Sequence, residues 1–551
     1  MADLPRNKRL LLALAFGFVL VSLFVLGIRT LVPPDEGRYA EMAREMFASG
    51  DWITPRLNGI KYFEKPPLQA WMNALSFTLF GLGEWQARLW TGLCGILGVG
   101  LSALAGWRVF GARAGLYGAL VLGSCFYWVA CSQVDSLDMG LSAMMTLSLC
   151  ALLLAQRDGA DAAERRNWML ACWAGMALSV LSKGLIGVVL PGAVLVLYMV
   201  LARDWAIWKR LHAGKGLLLF FLIAAPWFVL VGLRNPEQPH FFFVHEHVDR
   251  FLLKEHHREA AWWIFLALLA AGSIPWLGAL PQALAAGRKR DAGVFQPSLL
   301  LLIWVVFIVA FFSKSNSKLP GYILPAFPAV AMLVGRHLTA ATRRTLMLNA
   351  TQLVVIGIAL LGLVPFATTF AKRASEAALY TAYQPWLLWA GITALLGGGV
   401  AIFRAWRDRR DSAVLTLALA GFAATQLLLA GFEPIGQARA GAKLLPVVAP
   451  EAQRATRIYS VGIYEQALTF YLQRPVILVD YRDEFDFGLQ QQPNLAISSL
   501  PAFMAQWRRE TAAGEKVMAI VHNGIIADLM RQGLPMRVVA ADERRTIIAN
   551  R

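Results

Sequence analysis

The stretch PPDEGRYAEMAREMFASGDWITPRLNGIKYFEKPPLQ, residues 33–69, follows an apolar run yet carries Asp35, Glu36, Arg38, Tyr39, Glu41, Arg44, Glu45, Asp51, Arg56, Lys61, Tyr62, Glu64 and Lys65. Charge this dense, directly after a candidate membrane span, predicts chemistry at a membrane surface. The plainer reading is a solvated connector, since loops are generally polar and exposed.

Outward from this stretch the chain turns apolar. Its 551 residues are 57 % hydrophobic and only 16 % charged, and the mean hydropathy is +0.53. That balance excludes an ordinary soluble protein. Apolar runs long enough to cross a ~30 Å hydrocarbon core recur along most of the chain. The pattern predicts a polytopic α-helical membrane protein, because a membrane β-barrel would show ~10-residue alternating segments. Thirteen spans are expected, near 9–30, 86–107, 113–131, 136–156, 166–182, 184–202, 214–232, 260–283, 297–313, 320–337, 346–368, 383–404 and 412–431. Residues 68–81 are apolar but short, and are expected to lie on the bilayer or dip into it.

The formal net charge of +17 does not point to nucleic acid. The basic residues sit in short loops on alternate sides of the spans: Arg6/Lys8/Arg9, Arg108/Arg113, Arg157/Arg165/Arg166, Arg203/Lys209/Arg210/Lys215, Arg288/Lys289/Arg290, Arg336/Arg343/Arg344 and Arg404/Arg407/Arg409/Arg410. Short basic loops mark the cytoplasmic side and draw anionic lipid. The long loops 31–85 and 233–259 and the tail from 432 then lie on the opposite side. All five cysteines lie in or beside apolar runs, so neither a disulfide framework nor a CxxC metal site is expected. The basic N-terminus and its apolar run lack a small-residue cleavage site before Arg29, which predicts a retained first helix.

The tail, 432–551, reads as a small soluble α/β domain. Strand-like runs (RIYSVG, PVILVD, KVMAIV, MRVVAAD, RRTIIAN) alternate with helical ones (YEQALTFYL, LPAFMAQWRRE, NGIIADLMR). It contains no phosphate-binding glycine loop, and a lid or scaffold role on the outer face is expected.

Five constellations are chemically suggestive, each with a plain alternative. Asp35 and Glu36 follow two prolines that fix the chain's entry, and either is a candidate catalytic carboxylate; the sequence also makes a good helix start. Asp135 and Asp138 stand in a tight turn between apolar runs, where an acid is costly unless paired or solvated by a cavity; Asp135 could simply cap the next helix. Lys183 is the single charge within residues 168–202, and either faces an anion or snorkels. Arg38, Lys65, Arg250, Lys314 and Lys318 occupy outer loops, where cations are disfavoured, and an anionic phosphate group is their natural partner. Five of the eight histidines crowd into 233–259, and His245 and His247 with Glu64 or Glu246 are candidate ligands for a metal, against ordinary surface histidines. Tyr39, Tyr62 and Tyr322 could contact a sugar, or belong to the interfacial aromatic belt.

With these residues in place, the 34–67 segment resembles the first outer loop of the lipid A 4-amino-4-deoxy-L-arabinose transferases. SQVDSLDMGLS, LSKGLIGVVLP and SKLPGYILP are similar to that family's later motifs. The wider group is the polyprenyl-phosphate-dependent GT-C glycosyltransferases, related to protein O-mannosyltransferases. The resemblance covers roughly residues 10–335. It implies transfer of aminoarabinose from undecaprenyl phosphate to a lipid A phosphate at the periplasmic face of the bacterial inner membrane. This modification of lipopolysaccharide lowers its negative charge and gives polymyxin resistance. It implies catalytic roles at Asp35 and Asp138, with Glu36 and Asp135 beside them. Lys65 and Arg250, with Arg38 and Lys183, are implied to hold the carrier phosphate. Gly37 stands where relatives often carry a larger polar residue. No cofactor is expected for catalysis; zinc at Glu64, His245 and His247 would be structural. Two rival expectations are a GT-C enzyme with a protein or other glycan acceptor, and a polyprenyl-lipid flippase. The flippase predicts mid-span charges and a repeated hydropathy pattern, and neither is visible.

Overall fold

A computed structural model describes residues 8–249 and 260–550. The chain divides into two compact units, one of residues 1–28 and 88–432, the other of residues 29–87 and 433–551.

The first unit is helical. Eight helices of the described chain are long and apolar enough to span a membrane: Arg9–Gly27, Glu84–Phe110, Leu137–Gln156, Ala213–Arg234, Pro297–Lys314, Arg343–Phe370, Ala374–Trp406 and Arg410–Ala440. Ala112–Leu122 and Ile186–Ala202 are shorter apolar helices. The chain is a multi-pass membrane protein. The expected thirteen spans locate the helices, but several are broken where local chemistry breaks them. Expected span 113–131 divides into Ala112–Leu122 and Phe126–Cys131, with Cys125 extended between them (φ −59°, ψ 123°). Expected span 260–283 yields Ile264–Gly272 and Leu280–Ala286, separated by the Ile274–Pro275 step, because a residue before proline is pushed out of the helical region. In 320–337 the prolines Pro320 and Pro325 hold a 3₁₀ turn, Pro320–Ala326, before the Phe327–Thr339 helix.

The core of this unit is the Leu137–Gln156 helix, 89 % buried. It packs against Ala162–Lys183 and the 3₁₀ turn. Arg88, fully buried, donates to the Leu26 carbonyl at 2.9 Å. Arg113 pairs with Asp411 at 2.6 Å. Each buried charge is thus paired or hydrogen-bonded, as a low-dielectric interior requires.

The second unit joins the first loop to the tail. Helix Asp35–Ser49 ends at Gly50 in the left-handed region (φ 70°). Strands β1 (Arg56–Leu57) and β2 (Ile60–Lys61) form a hairpin around Asn58-Gly59, both at positive φ, the Asn-Gly turn that matches strand twist. Helix Leu68–Phe80 follows. The tail supplies β3 (Arg457–Val461), β4 (Ile477–Val479), β5 (Ala496–Ile497), β6 (Val517–His522), β7 (Arg537–Ala541) and β8 (Arg545–Ala549). They form one sheet in the order β5-β4-β3-β6-β8-β7. β5, β4, β3 and β6 run parallel, and β8 and β7 add antiparallel. All five strand-like runs and all three helical runs of the tail form as expected. β5, two residues long, carried no legible pattern.

Grouping of 29–87 with the tail differs from the expected division at 431/432. The reason is a set of fixed contacts inside this unit. Thr30 donates from N and Oγ1 to Glu433 at 2.7 and 2.8 Å. Asn58 and the Val476 backbone exchange two hydrogen bonds of 2.7 Å each. The Lys61 N–H donates to Gln492 Oε1 at 3.0 Å. Phe470 is buried among Leu31, Ala40, Ala43, Met46, Ala70, Ala74, Phe77 and Ala87.

Candidate functional site

Two charged clusters, one in each unit, contain most of the residues singled out from the sequence.

In the loop-and-tail unit, the cluster grows from the first turn of helix Asp35–Ser49. A three-residue helical spacing sets Asp35 and Arg38 on one face, and Arg38 NH1 lies 3.0 Å from Asp35 Oδ1. On its other edge Arg38 Nε lies 2.5 Å from Glu484 Oε2. Gln466 Nε2 donates to Glu484 Oε1 at 2.7 Å. Burial pushes the Glu484 carboxyl up, and the Arg38 charge opposes it. Asp35 is the open carboxylate of the set, its side chain 56 % exposed. Arg38 is therefore clamped between a buried acid and an exposed one.

Glu36 points the other way. It is buried, and its Oε2 accepts the Val32 N–H at 2.8 Å, which ties the entry of the helix to the proline turn. Tyr39 and Tyr62 are buried as well. Burial, with Glu64 next, pushes the Tyr62 phenol well up. Lys65 Nζ donates to the Glu64 carbonyl at 2.8 Å, with the Glu64 carboxylate 3.7 Å away.

In the membrane unit, Asp138 lies in the first turn of Leu137–Gln156 and Lys183 is the last residue of Ala162–Lys183. The two form an ion pair. The Lys183 ammonium also lies 4.9 Å from the Tyr322 ring centroid. Ser142 Oγ donates to the Asp138 carbonyl at 2.6 Å. Gly321 completes the packing, since a Cβ there would sit 2.2 Å from Asp138 Oδ2. Three motifs far apart in sequence, SQVDSLDMGLS, LSKGLIGVVLP and SKLPGYILP, meet at one point. Asp138 and Lys183 stay about one-fifth exposed, at 21 % and 18 %, whereas Asp135 is fully buried.

His245 stacks on Phe241, with ring centroids 5.1 Å apart. Arg250 lies outside the described residues, as do the side chains of Glu246 and His247. Among the described residues no three His, Cys, Asp or Glu side chains group as metal ligands. Sequence reasoning missed Glu484 and Gln466, the partners of Arg38. The dense acids of YRDEFDFG, 481–488, were the available signal, but nothing local ties them to residue 38.

The chain is similar to known proteins over nearly its whole length. Residues 444–550 match the aminoarabinose transferase C-terminal domain, and residues 64–230 match the dolichyl-phosphate-mannose-protein mannosyltransferase family. The chain is similar to the undecaprenyl phosphate-α-4-amino-4-deoxy-L-arabinose arabinosyltransferase of Erwinia tasmaniensis, 32 % identical over 64 % of each chain. The match thus spans just under two thirds of that relative. The Edwardsiella ictaluri protein of the same name is 29 % identical over 91 % of this chain and 92 % of its own. Among solved structures, the crystal structure of ArnT from Cupriavidus metallidurans bound to undecaprenyl phosphate superposes with a TM-score of 0.93, at 38 % identity over 99 % of both chains. On that full-length likeness, the chain belongs to the ArnT family of undecaprenyl phosphate-aminoarabinose arabinosyltransferases, within the GT-C glycosyltransferases.

Proposed function

We propose that this chain transfers 4-amino-4-deoxy-L-arabinose from undecaprenyl phosphate to a phosphate of lipid A, at the periplasmic face of the bacterial inner membrane. The single observation that carries the reading is the full-length match to a relative solved with undecaprenyl phosphate bound. The bond broken joins the sugar's anomeric carbon to the carrier phosphate oxygen, and the electron pair leaves with that oxygen. The carrier departs as a phosphate monoester, whose growing charge needs fixed cations. Lys65 and Arg38 are suited to that need, and Arg250 is assigned the same role.

The acceptor is a phosphate with a second pKa near 6, so at neutral pH it is largely ionised. A strong general base is unnecessary. Asp35, open and paired only at the surface with Arg38, is suited to hold the cationic 4-amino group of the sugar. Lys183 already holds Asp138, and its role is to position. The reaction asks for no metal, because Lys and Arg supply the charge that a divalent ion supplies elsewhere.

The test is expression in a Gram-negative strain lacking its own aminoarabinose transferase, with lipid A weighed by mass spectrometry. The expected result is lipid A heavier by one aminoarabinose, absent in membrane-inserted Asp35→Ala and Lys65→Ala variants. Unmodified lipid A from well-inserted wild-type protein overturns the acceptor and sugar assignment.

A further inference from the structure

Among the described residues of the membrane unit, Arg343, Arg344, Arg404 and Arg407 form no ion pair with a carboxylate, as Arg410 does not, although Arg410 is bound by the Thr339 and Ala341 carbonyls. Arg343 and Arg344 open the Arg343–Leu363 helix, and Arg404 and Arg407 stand at the end of Ala377–Trp406; these two helices pack side by side. Arg404 NH1 donates to Ser412 Oγ at 2.7 Å and Thr416 Oγ1 at 2.9 Å, both neutral. The guanidinium carbons of Arg343 and Arg407 lie 5.6 and 5.9 Å from the Trp406 ring centroid, and that of Arg407 also lies 4.8 Å from Phe403. By contrast, Arg113, Arg157, Arg210 and Arg336, at other basic turns, each pair with an acid.

A groove of about 440 Å³ opens at this point, lined by Arg343, Arg344, Met347, Leu348 and Thr351. Below the arginines an apolar stripe continues on the same helix through Leu348, Val355 and Ile358, 47 %, 57 % and 57 % exposed. Leu348 to Ile358 is about 15 Å of helix at the standard rise. Cationic groups stacked on an exposed indole above an apolar stripe are the chemistry of a lipid whose head is anionic and whose tail is a hydrocarbon.

We propose that this groove binds an anionic glycerophospholipid. Its phosphodiester would sit between Arg343, Arg344 and Arg407, and one acyl chain would lie along Leu348, Val355 and Ile358. A free phosphate would use the arginines but not the stripe. The carrier's phosphate monoester shares the head chemistry, and the experiment separates it. The proposal requires only the membrane-spanning fold, so it stands or falls apart from the transferase reading.

The test is native mass spectrometry of the detergent-purified protein with dioleoyl phosphatidylglycerol, dioleoyl phosphatidylcholine, undecaprenyl phosphate or inorganic phosphate added separately. The expected result is retained phosphatidylglycerol adducts on the wild type. They weaken by about fivefold for each arginine removed, since each interfacial cation contributes on that order. Arg343→Ala, Arg344→Ala and Arg407→Ala combined abolish them; lysine at the same three positions keeps most of them and controls for folding. Equal adducts of phosphatidylglycerol and phosphatidylcholine on the wild type overturn the proposal without any variant. So do adducts of undecaprenyl phosphate alone that vanish in the triple-alanine variant, or of inorganic phosphate that do.

Discussion

At the scale of single residues, the open acid and the committed acid make different predictions. Asp35→Asn removes the charge that holds the sugar's ammonium and leaves Lys65 in place. Turnover should fall by about 10²-fold, the cost of misplacing a reacting group, while binding of undecaprenyl phosphate, followed by native mass spectrometry, stays within a factor of a few. Loss of carrier binding would assign Asp35 to the phosphate instead. Lys183→Met strands the Asp138 carboxylate. It should cost about 3 kcal/mol, as for a partly buried pair losing one partner. Adding Asp138→Asn should restore much of the thermal stability but none of the turnover, and recovery of both would make the pair a structural strut. Glu45 titrates in a useful range. Burial, then the neighbouring Glu41 carboxylate, push it up to about 8, against the Gly59 N–H and Arg44. A raised folded value means its contribution to stability is full below the ordinary value of 4.5 and is lost as pH rises through about 8. Glu45→Gln keeps an acceptor for the Gly59 N–H, so it should flatten the decline of Tm over that interval and raise Tm by several degrees at its upper end.

At the scale of elements, helix Asp35–Ser49 fits against the Gln466–Leu472 helix through Gly37. A Cβ at Gly37 would lie 2.4 Å from the Ala467 nitrogen and 2.7 Å from its Cα. Backbone atoms cannot give way as a side chain can. Gly37→Ala should therefore cost at least ~1–3 kcal/mol and lower activity through displacement of Asp35 and Arg38, as thermal melts and turnover would record together. The helix was legible from its charged, capped pattern, and the tail's strands from β-branched runs such as PVILVD. What was not legible has local causes in some places and none in others. Pro275 was visible but could not be told from a tolerated kink. Asn58-Gly59 is a strong hairpin signal that the surrounding charges obscured. Asp138, Lys183 and Tyr322 were each singled out, yet no local feature says that the three meet, because their meeting is a property of helix packing.

At the scale of the whole molecule, the loop and the tail are one folding unit although hundreds of residues separate them. Phe470 alone, buried among loop residues, accounts for about 2 kcal/mol of that union. Residues 433–551 expressed alone should thus melt lower than a fusion of 29–87 to 433–551, by at least that amount in denaturant titration. Equal stability would make the loop a passenger. Membrane character and tail architecture were readable because periodicity and composition are local; the union of residues 29–87 with the tail was not, because it rests on single pairs such as Thr30–Glu433 and Asn58–Val476.

That union sets an order of events during synthesis. About 345 residues lie between Ala87 and Glu433, which is roughly 15–70 s of translation at ~5–20 residues per second. For that time the loop has emerged without its partner, its apolar faces around Ala40, Ala43 and Phe77 uncovered. The unit of residues 29–87 and 433–551 is therefore completed last, although its first segment is made early. A nascent chain halted before residue 433 holds the loop but none of the tail that covers it.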